Sequence, residues 1–137
     1  MNLRKITLIV LTLAFICGLA IYKVYTKPHK EVTDAHADFT LSSSNLYLAY
    51  SENEDEANAK YLNKIIEVEG KISTTNSLEG GASIALDCGD PMGGITCEFE
   101  SPESLKGMSV GQSVKIKGFC TGKLIDVVLV RCSVQKI

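Results

Sequence analysis

The chain has 137 residues, with 14 basic and 16 acidic side chains. That length allows one small domain plus an appendage, and the near-neutral balance excludes a globular part that holds nucleic acid by bulk positive charge. The charge is unevenly placed: residues 1–30 carry five basic groups and no acid, residues 31–56 seven acids and no Lys or Arg, and residues 57–137 nine of each.

Arg4 and Lys5 precede an uncharged run from Ile6 to Tyr22, ITLIVLTLAFICGLAIY. Such a run sits at the short end of a membrane span, and Lys23 extends it by snorkelling its ammonium to the interface. A cleaved secretory signal is the competing reading, with Gly18 and Ala20 as the small residues of a cleavage site. The length favours an uncleaved anchor over residues 1–26. A lipidation site at Cys17 is disfavoured by the bulky Phe15 and Ile16 before it. Basic residues on the two flanks nearly balance, so orientation does not follow from them.

Residues 27–40 read as a polar linker opened by Pro28 and lacking periodicity. Residues 41–63 read as a helical lead-in, with Leu46, Tyr47 and Tyr50 at helical spacing. Ser51-Glu52-Asn53-Glu54 has the form of a capping box. Glu54, Asp55 and Glu56 suit a helix N-terminus. They form one charge run rather than a set of converging ligands, so no metal and no other cofactor is expected. Ala57, Lys60 and Tyr61 continue one face.

Over residues 64–137 the period changes to two. Ile66, Val68, Gly70 and Ile72 alternate with Glu67, Glu69 and Lys71 in a first strand. Ile84, Leu86 and Cys88 mark a second, and Ile95, Cys97 and Phe99 a third. A helix of little more than one turn follows: Ser101 caps it, Pro102 takes the first helical position and Gly107 ends it. Val114, Ile116, Gly118 and Cys120 define the inner face of a fourth strand. Val128, Val130, Cys132 and Val134 are assigned to the inner face of the fifth, leaving Val127, Leu129 and Arg131 outside. Three strands, a short helix and two strands is the order of a five-stranded Greek-key barrel of the oligonucleotide/oligosaccharide-binding (OB) type. The predicted fold is therefore mainly β, with the barrel preceded by one or two helices and an N-terminal transmembrane or signal helix.

Cys88, Cys97, Cys120 and Cys132 all fall on inward parity. Two disulfides or four buried thiols both satisfy that placement. The pairs Cys88–Cys97 and Cys120–Cys132 link consecutive strands and are preferred; each would add on the order of 3 kcal/mol. An even set of barrel cysteines behind an apolar N-terminus points to an oxidising, extracytoplasmic compartment, periplasmic or cell-surface.

Taken together, several short motifs resemble the bacterial tRNA-anticodon-binding-like OB-fold family. They are Ala57-Asn58-Ala59-Lys60-Tyr61, Lys64, Ile66 to Ile72, Ile95 to Phe99, Val114 to Gly122, and Asp126 to Leu129 with Cys132. The similarity covers about residues 46–137. The apolar N-terminus followed by Lys27-Pro28-His29 is similar to envelope-anchored members. The resemblance implies mainly a fold, the family's name coming from similarity to a nucleic-acid-binding barrel; it supplies no catalytic or binding residues.

No His lies in the barrel, so Ser–His and Cys–His chemistry has no base there, and no enzyme is expected. Three functional classes remain. The first is a membrane-anchored binding module for a protein, peptide or glycan, using the face of the second and third strands flanked by Thr75–Ala82 and Lys123–Asp126. The second is single-stranded nucleic-acid binding, centred on Lys115, Lys117 and Phe119 and opposed by Glu98 and Glu100; neutral charge disfavours it. The third is a purely structural envelope protein, in which Phe119, Val127 and Leu129 dock Leu46, Tyr47, Tyr50 and Tyr61. The candidate ligand-binding set is Lys115, Lys117, Phe119, Glu98 and Lys123.

Overall fold

The computed structural model describes residues 2–25, residue 32 and residues 34–135. The chain forms two compact units, residues 1–31 and 32–137.

The first unit contains helix α1 (Leu3–Tyr25), 23 residues long. At about 1.5 Å per residue it matches the roughly 30 Å hydrocarbon layer of a bilayer. Its segment Leu3–Lys23 is long and apolar enough to cross a membrane, and none of it is buried in protein. Two polar side chains within it are neutralised locally. Thr7 donates to the Arg4 carbonyl at 2.9 Å and Thr12 to the Ile9 carbonyl at 2.9 Å, which suits a helix with no water around it.

The second unit opens with strand β1 (Phe39–Ser42), then helices α2 (Ser43–Glu52) and α3 (Glu54–Tyr61). The linker reading of residues 27–40 therefore runs too far: Phe39 and Thr40 already pair with Ile66 and Glu67. Asp38 anchors the entry, since its amide donates to the Ile65 carbonyl and its carboxylate accepts the Ile65 amide at 3.0 Å. The caps also differ from expectation. Ser51 lies inside α2, and Asn53 caps α3 instead, accepting the Glu56 amide at 3.2 Å. Leu46 and Tyr50 seat α2 on the barrel and carry the helix through Glu52. The break thus falls at Asn53, whose extended backbone ends one helix and starts the next.

Strands β2 (Ile65–Leu78), β3 (Gly81–Leu86), β4 (Ile95–Phe99), β5 (Ser113–Lys123) and β6 (Val127–Gln135) form the barrel. Its order is β1-β2-β3-β4-β6-β5, closed by a β2–β5 pairing. The long β2 makes closure possible. Its first half pairs with β1 and β5, its second half with β3, and the register shifts between Ile72 and Thr74. Strand β6 enters between β4 and β5, parallel to β4. This is the expected five-stranded OB-type barrel, with β1 as a sixth strand. The short helix between the third and fourth barrel strands is a 3-10 turn at Pro102–Leu105, capped by Ser101.

The alternating residues of β2 to β5 line the core as their pattern predicts. On β6 the parity is reversed: Val127 and Leu129 are wholly buried, while Val128 and Val130 are only partly so. Arg131 then adopts a left-handed φ of 52°, which breaks the alternation and turns Cys132 back toward the core. Leu46, Tyr50 and Tyr61 consequently join the core cluster itself, alongside Val127 and Leu129, rather than docking on an outer face.

Neither preferred disulfide is present; all the cysteines are free thiols. Cys88 donates to the Gly93 carbonyl at 2.9 Å, and Cys120 lies against Tyr50. Cys97 and Cys132 are hydrogen-bonding neighbours, and burial together with that contact pushes the Cys132 thiol up. The expected pairs fail on register, although their strands are neighbours: Cys97 lies opposite Ile84, four residues before Cys88, and Cys120 lies opposite Leu129, three residues before Cys132.

Candidate functional site

The outer face of β3 and β4 carries small and polar side chains: Ser83, Ala85, Thr96 and Glu98. At one end of it, where β3 stops and β4 and β6 begin, a cleft of about 360 Å³ opens. Ser73, Ala85, Asp87, Asp90, Met92 and Asp126 are among its walls.

Two loops build this cleft. The first, residues 87–94, contains two tight local turns: Asp87 accepts the Gly89 amide and Asp90 the Met92 amide, each at 2.8 Å. Such bonds from Asp to a backbone N–H two residues on shape a loop without a core. The second is the β5–β6 hairpin turn, in which Leu124 N–H bonds to the Asp126 carbonyl. Asp126 joins the two loops. One carboxylate oxygen accepts the Gly94 amide at 3.0 Å, the other the Thr96 hydroxyl at 2.8 Å. The Val127 amide donates back to the Gly94 carbonyl at 3.1 Å.

Behind the cleft, Tyr47 of α2 abuts Gly93, where any side chain would collide with its ring. The Lys123 ammonium lies 4.8 Å from the centre of the same ring and 3.3 Å from Ser51 Oγ. The cleft is thus lined by three carboxylates, each with a lone pair committed to the protein and others left over. Its chemistry suits a ligand that donates hydrogen bonds, such as sugar hydroxyls or peptide N–H groups, and repels a phosphate.

The candidate binding residues do not assemble into one site. Lys115 sits beside Glu67 at 3.7 Å and Glu69 at 4.0 Å. Lys117 is only 9 % exposed, and its ammonium donates to the Ala35 carbonyl at 3.0 Å. Phe119 is half-buried, between Ile65 and Val130. Lys123 holds Tyr47. Glu98 is exposed on β4, and β6 separates β4 from β5. None of the five lines the cleft. Of the two expected flanks, the Lys123–Asp126 turn contributes through Asp126; the Thr75–Ala82 hairpin belongs to the opposite end of β3. The cleft residues missed by sequence reasoning are Ser73, Asp87 and Asp90. Asp87 and Asp90 have a sequence signature in the Gly- and Pro-rich stretch that follows Asp87, but it signals turns, not a binding surface. Among the described residues, no three His, Cys, Asp or Glu side chains converge as a metal site.

A family model described as tRNA_anti-like matches residues 1–134. No curated protein matches the chain. Among solved structures, a Klebsiella pneumoniae protein provisionally described as a nucleic acid-binding lipoprotein aligns at 17 % identity with a TM-score of 0.57, covering 80 % of this chain and all of that one. The Stn1–Ten1 complex of S. pombe aligns at 18 % identity and a TM-score of 0.41, over 53 % of this chain and 59 % of that one.

Proposed function

The chain belongs to the tRNA_anti-like family, and from that premise we propose that it is a non-catalytic binding module, anchored by α1 and displayed on the extracytoplasmic side of a membrane. The carrying observation is the cleft pinned by Asp126, whose carboxylate bonds both the Gly94 amide and the Thr96 hydroxyl. A concave site at the end of the β3–β4 face, walled by carboxylates and small polar groups, fits a peptide or glycan that donates hydrogen bonds. The apolar helix supports the anchor; the basic residues on its two flanks nearly balance, and the extracytoplasmic side is supported by the four cysteines of the barrel. The non-catalytic reading is supported by the structural use of the cleft carboxylates: Asp87 and Asp90 close turns on backbone amides, and Asp126 ties the Thr96 hydroxyl to the Gly94 loop.

Crosslinking in intact cells, followed by recovery of the full chain and of a form lacking residues 1–26, tests the proposal. One stoichiometric envelope protein or glycan, captured by the full chain and lost on Asp87→Asn/Asp90→Asn substitution, is the expected result. Recovery of both forms with cytoplasmic proteins alone would refute it.

Single-stranded nucleic-acid binding is the second reading, favoured by the description of the Klebsiella protein. Lys115 and Lys117, its basic candidates here, are engaged by Glu67, Glu69 and Ala35. A low-salt titration with fluorescent oligonucleotides decides it: affinity that falls steeply with salt supports nucleic acid, and no affinity removes it.

A further inference from the structure

The end of the barrel that holds the cleft also carries its most exposed apolar side chains. Leu124 and Ile125 occupy the tip of the β5–β6 turn at 88 % and 78 % exposure, and Met92 in the neighbouring loop is 82 % exposed. Hairpin tips ordinarily use Gly, Asn or Asp, which satisfy the turn and stay hydrated. Two branched aliphatic residues at such a tip serve neither the turn nor the core. The three side chains are also held in fixed relation. Asp126 and Val127 bond Gly94 from the hairpin side, and Asp90 bonds Met92 within its own loop. The tip is therefore a presented apolar edge.

We infer that this edge, Leu124, Ile125 and Met92, dips into the surface of the bilayer that α1 spans. The inference rests on the anchored reading above. Tyr25, the last residue of α1, and Phe39, the first of β1, are 14 positions apart. Even fully extended, that stretch keeps the barrel within about 50 Å of the bilayer. At that range the membrane is present at high effective concentration, and insertion of three side chains, too weak to recruit a free protein, suffices to orient a tethered one. The surrounding charge sets the type of surface. Lys123 is held over Tyr47, while Asp87, Asp90 and Asp126 lie nearby, so the contact is apolar insertion and not attraction to anionic headgroups. Docking of this edge brings the cleft mouth close to the membrane surface.

The chain contains no Trp, so a single introduced indole reports its own surroundings. Full-length Leu124→Trp and, as a control at the opposite end of the barrel, Glu79→Trp are reconstituted into phosphatidylcholine vesicles, with circular dichroism confirming that both fold. The Leu124→Trp emission is expected to be blue-shifted relative to Glu79→Trp and to be quenched by phosphatidylcholine brominated high on its acyl chains. Salt should leave the signal unchanged, and adding Met92→Asp and Ile125→Asp should abolish it. If the protein floats with the vesicles but Leu124→Trp emits and quenches like Glu79→Trp, the docked edge is refuted and the anchor stands. If the protein does not float with the vesicles, the anchored reading falls and takes this inference with it.

Discussion

The Tyr50 hydroxyl lies 3.4 Å from Cys120 Sγ, in the interior, across 70 positions of sequence. It joins α2 to β5 and shows that the lead-in helices are part of the barrel core. Tyr50 stacks obliquely on Tyr61, whose ring meets Phe39 edge-on at 5.1 Å between centroids. Side chains of α2, α3 and β1 thus pack on one another against the barrel core.

Burial, followed by the bond to Cys120, raises the Tyr50 pKa far above its ordinary value near 10. The sign follows from linkage. Below about pH 10 both folded and unfolded chains keep the phenol proton. Above it the unfolded chain loses the proton first, so stability falls as pH rises. Urea titrations from pH 8 to 11 should show this alkaline loss, at most about 1.4 kcal/mol per pH unit from this group. Tyr50→Phe should show a shallower decline. Identical slopes for the two proteins would refute the assignment.

Gly118 faces the Cys132 sulfur. A Cβ built there would stand 2.6 Å from Sγ and 3.0 Å from Leu129 Cβ. Gly118→Ala is expected to lose about 1–3 kcal/mol through overpacking. Adding Cys132→Ala should restore part of that loss, since the sulfur is removed while Leu129 remains. A double variant no more stable than Gly118→Ala, compared by chemical denaturation, would count against the contact.

Cys97 and Cys132 are neighbours through the β4–β6 pairing, so a disulfide formed on refolding with oxidised glutathione should join these two. Exchange with glutathione disulfide releases two reduced glutathiones and conserves electrons. Peptide mapping should find Cys97–Cys132, and a dominant Cys88–Cys97 or Cys120–Cys132 product would contradict the observed packing.

Lys117 reaches across 82 positions to the Ala35 carbonyl. Lys117→Met keeps the aliphatic stem and removes the charge. Loss of the charge-assisted bond should cost about 1–3 kcal/mol, and amide exchange around residues 34–38 should speed up at least tenfold. Unchanged exchange there would show that the lysine does not hold this segment.

Asp126→Ala deprives the Gly94 amide and the Thr96 hydroxyl of their acceptor, at a cost of about 1–3 kcal/mol. Exchange at Gly94 should accelerate more than at Ile116, on the far side of the barrel. Uniform acceleration at both would indicate global destabilisation instead of a loosened loop.

Much of the barrel was legible because alternation is a local signal. Ile66, Val68 and Ile72, or Ile95, Cys97 and Phe99, point inward in a strand whatever its neighbour. The reading failed where one residue departs from extended geometry. At Arg131 a left-handed backbone shifts parity, and no sequence rule places it there, since an arginine seldom adopts that conformation. It failed again at Ser51, a good cap by composition that the packing of Leu46 and Tyr50 keeps inside a helix. The cleft was illegible for a related reason: Asp87, Asp90 and Asp126 each look like turn residues, and all three do form local turns or loop ties.

The pattern of residues alone therefore determined the apolar leader, the five strands, the short capped turn after β4 and most of the core, because each depends on near neighbours in the chain. Tertiary pairing decided the rest. Insertion of β6 between β4 and β5 separated Glu98 from Lys115 and Lys117, made neighbours of Cys97 and Cys132, and brought Asp126 to Gly94 across 32 positions. Contacts between distant residues are set by which strand lies beside which, and periodicity along one strand carries no information about its neighbour.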